Sequence, residues 1–115
     1  RFPVERLRQE PFIEFLPGQE TDNSRMLQQL QIRPKIRFAT SDSRAAIAMV
    51  RAGLGITLLN DILTADLADG VAVLPLDPPQ SVHLGIALPE EEHVSPAAKR
   101  FITYALNRLP ELDVL

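Results

Sequence analysis

Short apolar runs alternate along this chain with stretches of helical period, and glycine or proline stands at most of the changeovers. A chain that reads strand, helix, strand, helix pairs its strands in parallel and covers the sheet with the crossovers. The expected class is therefore α/β with a largely parallel sheet. No internal repeat and no low-complexity stretch interrupts the pattern.

Residues 1–10 hold a short amphipathic turn around Val4 and Leu7. Pro11 to Phe15 (PFIEF) reads as a buried strand, and Pro17-Gly18 breaks the chain behind it. Asp22 or Asn23 is suited to cap a helix running to about Gln31, with Met26, Leu27 and Leu30 on one face. In Lys35 to Ala39 (KIRFA), Ile36 and Phe38 alternate with Lys35 and Arg37, the mark of another strand. Ser41 or Asp42 is suited to cap the next helix, whose apolar side is Ala46, Ile47, Met49 and Val50. Gly53 stands where a left-handed residue ends a helix. Gly55 to Leu59 (GITLL) is a continuous apolar run of the kind buried on both faces. Asn60 or Asp61 starts a further helix through Ile62, Leu63 and Leu67, stopped near Gly70. Val71 to Leu74 and Val82 to Leu88 read as two more strands. Ser95-Pro96 pairs a capping hydroxyl with proline at the first helical position, and Ala98, Phe101, Ile102, Ala105 and Leu109 follow at helical spacing up to Pro110.

Composition narrows the function. The 115 residues suffice for one domain with a modest core, and 45% are hydrophobic, which argues against disorder. No apolar run approaches the roughly 20 residues of a membrane helix. Arg1 is not a start methionine and no basic-then-apolar leader follows it, so the chain reads as a piece of a longer protein. Lys and Arg total 12 against 15 Asp and Glu, a net charge of −3. An acidic domain is a poor ligand for phosphate backbones, which supply most nucleic-acid affinity. Arg1, Arg6 and Arg8 are interleaved with Glu5 and Glu10 and form no basic cluster. There is no cysteine, hence no disulfide, thiolate metal site or thiol redox sensor, which fits a cytoplasmic location. His83 and His93 are the only histidines. The run Glu90-Glu91-Glu92-His93 invites a metal reading, but consecutive carboxylates do not share a helix face, and a solvated loop is the expectation. No paired acid and base, nucleophile motif or phosphate-cradling loop is present, so no enzyme activity, cofactor or metal is expected. Gly53 and Gly55 follow a helix rather than a strand, which removes the dinucleotide reading.

The sharpest candidate site is Thr40-Ser41-Asp42-Ser43, where a strand passes into a helix. Ligands of open α/β sheets lie beyond the carboxyl ends of the strands. A helix N-terminus there offers free N–H groups and a positive dipole end, which suits a carboxylate. The hydroxyls add neutral donors, whereas Asp42 competes with an anion. The plainer role of Ser41 or Asp42 is to cap the helix. Leu16-Pro17-Gly18 follows the first strand on the same sheet edge and is a candidate cleft rim, or else an ordinary surface loop. Arg44 is either a contact for an anion or an exposed helix arginine.

Taken in order, Glu10-Pro11-Phe12-Ile13-Glu14-Phe15, Phe38-Ala39-Thr40-Ser41-Asp42, Met49 to Leu59 (MVRAGLGITLL), Val73-Leu74-Pro75-Leu76 and Ser95 to Phe101 (SPAAKRF) resemble the effector-binding domain of LysR-type transcriptional regulators. The resemblance spans nearly the whole chain. It implies a two-lobed domain like the type 2 periplasmic binding proteins, each lobe a three-layer α/β sandwich, with a small-molecule effector held between lobes. On that reading residues 1–83 form the second lobe, and residues 84–115 are the return strand and C-terminal helix of the first. The DNA-binding region and most of the first lobe then lie elsewhere in the parent protein. The resemblance also implies Thr or Ser contacts to the effector at Thr40 and Ser41, self-association through effector domains, and DNA contact only through the parent. A lobe of a transporter's solute-binding protein is the rival with the same architecture. A small α/β enzyme is a third reading, and it lacks the catalytic constellation that it requires.

Overall fold

Pro11–Phe15 is the strand around which the first part of the computed structural model is organised. The structure describes residues 1–111, so the last four residues of the expected 84–115 segment lie outside the described residues. The chain divides into two compact units, Arg1–Ser81 and Val82–Leu115.

In the first unit, Phe2–Pro3 (β1) leads into a 3-10 turn over Val4–Arg8, followed by Pro11–Phe15 (β2) and Asp22–Gln29 (α1). Lys35–Thr40 (β3), Ser43–Arg51 (α2), Asp61–Thr64 (α3) and Leu76–Asp77 (β4) complete it. Strand β2 pairs in parallel with β3, from Pro11 opposite Lys35 to Phe15 opposite Thr40. Strand β1 pairs in parallel with β4, Phe2 opposite Leu76. The unit is thus mixed α/β with two small parallel sheets, as the alternation predicts.

The core is small and specific. Val4, Leu7, Phe12 and Ile32 are buried together, with Leu27, Leu30, Ile56 and Leu58 packed against them. On the other side of β2, Ile13 is fully buried, and Ala46 and Ile47 of α2 are buried too. The alternation of Phe12 and Ile13 across the strand therefore feeds two faces, one toward α1 and the N-terminal turn, the other toward α2.

The local chemistry explains each boundary. Thr21, not Asp22 or Asn23, caps α1. Its hydroxyl accepts from Ser24 N at 3.1 Å while Ser24 Oγ accepts from Thr21 N at 2.8 Å, a reciprocal capping box. The helix ends at Gln29 rather than Gln31, because Gln31 takes a left-handed φ of 55°. Asp42 caps α2, accepting from Arg44 N and Ala45 N at 2.8 and 3.2 Å; Ser41 does not. Asn60 caps α3, which stops at Thr64 and gives way to turns well before Leu67.

Three expected strands differ. Gly55–Leu59 makes a single parallel bridge, Ile56 to Phe12, and its residues are half-buried rather than buried on both faces. The close approach that makes this bridge depends on Gly55, where a Cβ would lie 2.4 Å from Pro11 O. Val71 to Leu74 is irregular, and the pairing falls two residues on, at Leu76–Asp77, where Phe2 N donates to Pro75 O at 2.8 Å. Val82 to Leu88 forms no strand, because no partner strand lies beside it among the described residues. An apolar alternation is only half of a strand; the other half is a neighbour to bond with. In β3, Ile36 and Phe38 are 49% and 41% exposed. A register shift between Phe12 and Ile13 pairs Phe12 with Ile36 but Ile13 with Phe38. Paired residues share a face, so this bulge sends Ile36 and Phe38 to opposite sides and spoils the single apolar face that their spacing predicts.

The second unit carries a 3-10 turn at Glu91–His93, the helix Pro96–Arg108 (α4) and a last 3-10 turn at Leu109–Glu111. Ser95 caps α4, accepting from Ala98 N at 3.2 Å, with Pro96 at the first helical position, as the sequence predicts. None of its described residues is buried.

Candidate functional site

Because β2 and β3 run in parallel, their carboxyl ends share one edge, and the two candidate segments meet there. Leu16 N donates to Thr40 O at 2.9 Å, which ties the Leu16-Pro17-Gly18 loop to Thr40-Ser41-Asp42-Ser43. The loop is compact: Leu16 and Gly18 have φ of 55° and 74°, and Gln19 N returns to Leu16 O at 3.2 Å.

The four residues divide their work. Thr40 Oγ1 accepts from Asp42 N at 3.2 Å and sets the turn into α2. The Asp42 carboxylate takes two of the first N–H groups of the helix. The hydroxyls of Ser41 and Ser43 make no hydrogen bond among the described residues. Thr40 and Ser43 are half-buried, Ser41 and Asp42 exposed. Arg44, beside them, is exposed and makes no ion pair among the described residues. The edge therefore presents two uncommitted hydroxyls and a capping carboxylate.

A groove of about 570 Å³ runs along the α1 side of the sheet in the same unit. Its apolar lining includes Phe12, Leu27, Ile32 and Ile36, and Glu14 and Arg33 are its charged groups. It reaches the loop at Leu16 but takes in none of Thr40 to Ser43, so groove and candidate edge adjoin without coinciding.

Sequence reasoning missed two polar side chains that fasten this edge. Thr57 Oγ1 donates to Ile13 O at 2.8 Å, and Asn23 Nδ2 donates to Leu58 O at 2.9 Å. Both bridge segments far apart in sequence. The only signal for Thr57 was a hydroxyl within an apolar run.

The acidic run is exposed, as expected of a solvated stretch, and its last three residues form a 3-10 turn. Glu90, Glu92 and His93 bring one ligand atom each within 4.8 Å of one another, because a 3-10 turn stacks residues three apart. All three are exposed, and His93 Nδ1 lies 3.9 Å from Glu92 Oε1, a surface contact in water.

The first unit is thus a mixed α/β unit with a hydroxyl-bearing strand-to-helix turn at the carboxyl end of β3. The LysR substrate binding domain family model matches residues 1–110, and the chain belongs to that family. It is thus an effector-binding domain of the LysR-type transcriptional regulators, which are regulators and not enzymes. That membership does not favour the transporter reading. No curated protein and no solved structure gives a significant match. No helix among the described residues is long and apolar enough to cross a membrane.

Proposed function

We propose that this domain senses a small, carboxylate-bearing effector at the edge formed by Thr40, Ser41, Asp42 and Ser43, with Leu16, Pro17 and Gly18 as its rim. The observation that carries the reading is the pair of uncommitted hydroxyls, Ser41 and Ser43, on either side of the Asp42 cap of a nine-residue helix beyond the carboxyl end of β3. Hydroxyl and N–H donors at a positive helix end suit a carboxylate. Asp42 restricts the ligand to one whose anion can sit beside the cap rather than replace it. Residues 1–83 are read as the second lobe of a three-layer, periplasmic-binding-protein-like domain, and residues 84–115 as the segment that returns to the first lobe. Binding between lobes would then set the relative arrangement of DNA-binding regions in a cytoplasmic, self-associating parent protein. DNA contact belongs to that parent region, because this chain carries a net charge of −3.

The test is effector binding by the parent protein, with a panel of small carboxylates screened by thermal shift and the best ligand followed by calorimetry. Ser41→Ala and Thr40→Val each weaken affinity about three- to tenfold, the equivalent of one lost hydrogen bond of roughly 0.5–1.5 kcal/mol. Asp42 rather than Ser41 caps α2, so Ser41→Ala leaves the melting temperature nearly unchanged. Unchanged affinity in both variants removes the assignment.

A further inference from the structure

Helix α1 lies over the sheet without sealing it. Its residue Leu27 and its C-cap Leu30 pack against the core, yet none of its eight residues is buried. Asn23 Nδ2 holds the start of the helix to Leu58 O, and the turn at Gln31 carries its end down to the buried Ile32. The helix is thus fixed at both ends and is about 12 Å long at 1.5 Å per residue. Between it and the strands remains the groove of about 570 Å³, a volume in the range of small-molecule sites. The sheet side of the groove is mostly apolar, with Phe12 and Phe15 of β2, Ile36 of β3 and Leu58.

One lining group does not belong on an apolar surface. The alternation of β2 puts Glu14 on the same face as Phe12, and both line the groove. Glu14 is half-buried and makes no hydrogen bond or ion pair among the described residues. Drawing a carboxylate partly out of water without a partner carries a cost that a positive charge removes. Arg33, the other charged lining residue, does not supply that charge. Lys35 at the start of β3 pairs with Pro11, whereas Glu14 pairs with Ala39. Arg33 comes two residues before Lys35, so roughly 15–20 Å of strand separates its level from that of Glu14. The two form no ion pair. The remaining polar lining residues, Gln28 and Gln31 among them, are neutral.

We propose that this groove is a second ligand site, for a small organic cation with an apolar body: an aryl- or alkylamine whose ammonium group meets Glu14. The groove takes in none of Thr40 to Ser43, and it calls for the opposite charge, so the site stands independently of the carboxylate reading. The ammonium gains a carboxylate and the aromatic lining of Phe12 and Phe15, since ring faces attract cations. The apolar body covers Ile36, which is otherwise 49% exposed. A metal ion does not fit, because one carboxylate among apolar groups falls far short of the six or so oxygens that a hard cation takes. An anion does not fit either, since Glu14 would meet it with like charge.

The test uses the whole chain and 4-phenylbutylamine, which is charged at neutral pH, with 4-phenylbutanol and 4-phenylbutyrate as its neutral and anionic counterparts. Amide shifts in two-dimensional NMR follow each titration. The amine moves the amides of Glu14, Leu27 and Ile36 and leaves those of Ser41 to Ser43 in place. Its dissociation constant is about 1 mM or below, as a ligand of that size allows. The alcohol moves the same groove amides but binds about tenfold more weakly, having lost the charge-assisted contact. The butyrate moves none of them. Glu14→Gln brings the amine to the affinity of the alcohol and leaves the alcohol unchanged, and that retained binding shows the groove of the variant to be intact. Ile36→Ser, at an exposed position, weakens amine and alcohol alike by about threefold, through lost apolar cover. An amine that moves no groove amide overturns the site. Amine and alcohol of equal affinity, or an amine indifferent to Glu14→Gln, overturns the assignment of a cation to Glu14.

Discussion

Every buried apolar side chain among the described residues, from Val4 to Ile47, lies in the unit Arg1–Ser81. In the unit that begins at Val82, Leu84, Phe101, Tyr104 and Leu106 are all more than half exposed. The two stretches have similarly apolar patterns, so hydrophobicity alone does not decide which one forms a core. What differs is the closeness of partners. Around β2 the N-terminal turn, α1, β3, α2 and Gly55–Leu58 all arrive within a few dozen residues, and each brings an apolar face. Helix α4 has its stripe, and none of its described residues is buried. Its cap and proline define a good helix end, and they define nothing beyond that.

The sharpest way to break this comparison is a pair of truncations. Ile13 is fully buried, its N–H donating to Ile56 O at 2.8 Å and its carbonyl accepting from Thr57. Ile13→Ala loses about 3 kcal/mol, the usual cost of a cavity at such a site. Phe101 is the larger side chain, yet it is 66% exposed. Phe101→Ala changes stability by less than about 0.5 kcal/mol. Urea unfolding at low micromolar concentration measures both. Comparable losses would mean that α4 shares the core of the first unit, and the contrast would fall.

A second substitution sharpens the account of what holds Gly55–Leu59 against β2 with only one bridge. Ile56 N donates to Pro11 O at 2.9 Å, and a Cβ on Gly55 would stand 2.4 Å from that same oxygen. The obstacle is backbone and has no flexible end to swing aside. Gly55→Ala therefore costs about 2 kcal/mol, in the range of overpacked cores. Amide exchange at Ile13 and Ile56 speeds up more than at Ala46, because the bridge opens before α2 is disturbed. Uniform acceleration across the unit would show that the bridge has no separate stability.

What was legible in the sequence tracks how local its cause is. The parallel α/β class, β2, β3, α2 and the Ser95-Pro96 start of α4 were readable, because periodicity and caps act within a few residues. The candidate edge was readable in part. Thr40 to Ser43 and Leu16 to Gly18 do meet, since parallel strands put their carboxyl ends together. Which of Ser41 and Asp42 caps α2 was not, because either side chain reaches the same N–H groups. The bulge at Arg37 and the bridge at Ile56 depend on residues some 20 to 40 positions away, and spacing within a strand carries no trace of them. The missing strand at Val82 to Leu88 is the same failure in reverse, a correct local pattern without a neighbour.

The smallest expected effect concerns how the first unit turns its helices back toward the core. Both α1 and α2 end in one motif. After α2, Gly53 has φ 78°, with Gly53 N donating to Val50 O and Leu54 N to Met49 O at 2.9 and 3.1 Å. After α1, Gln31 has φ 55°, with Gln31 N donating to Gln28 O and Ile32 N to Leu27 O at 3.0 and 2.8 Å. Glycine is the expected residue at this left-handed position, and at Gln31 a side chain tolerates it instead. The strain costs about 1 kcal/mol. It persists because the turn delivers Ile32, only 3% exposed, into the core beside Phe12. Helix α4 shows no such turn; Leu109 stays right-handed and runs on into a 3-10 turn. Gln31→Gly removes the strain but frees the unfolded backbone, so it stabilises by only about 0.5 kcal/mol. Gly53→Ala destabilises by about 1 kcal/mol, since it installs the strain that Gln31 already bears. Thermal melts of the two single variants and their combination test this directly. Opposite shifts that add in the double variant fit two independent helix stops. A loss of stability in Gln31→Gly would mean that the glutamine side chain holds the turn, and that the second stop differs in kind from the first.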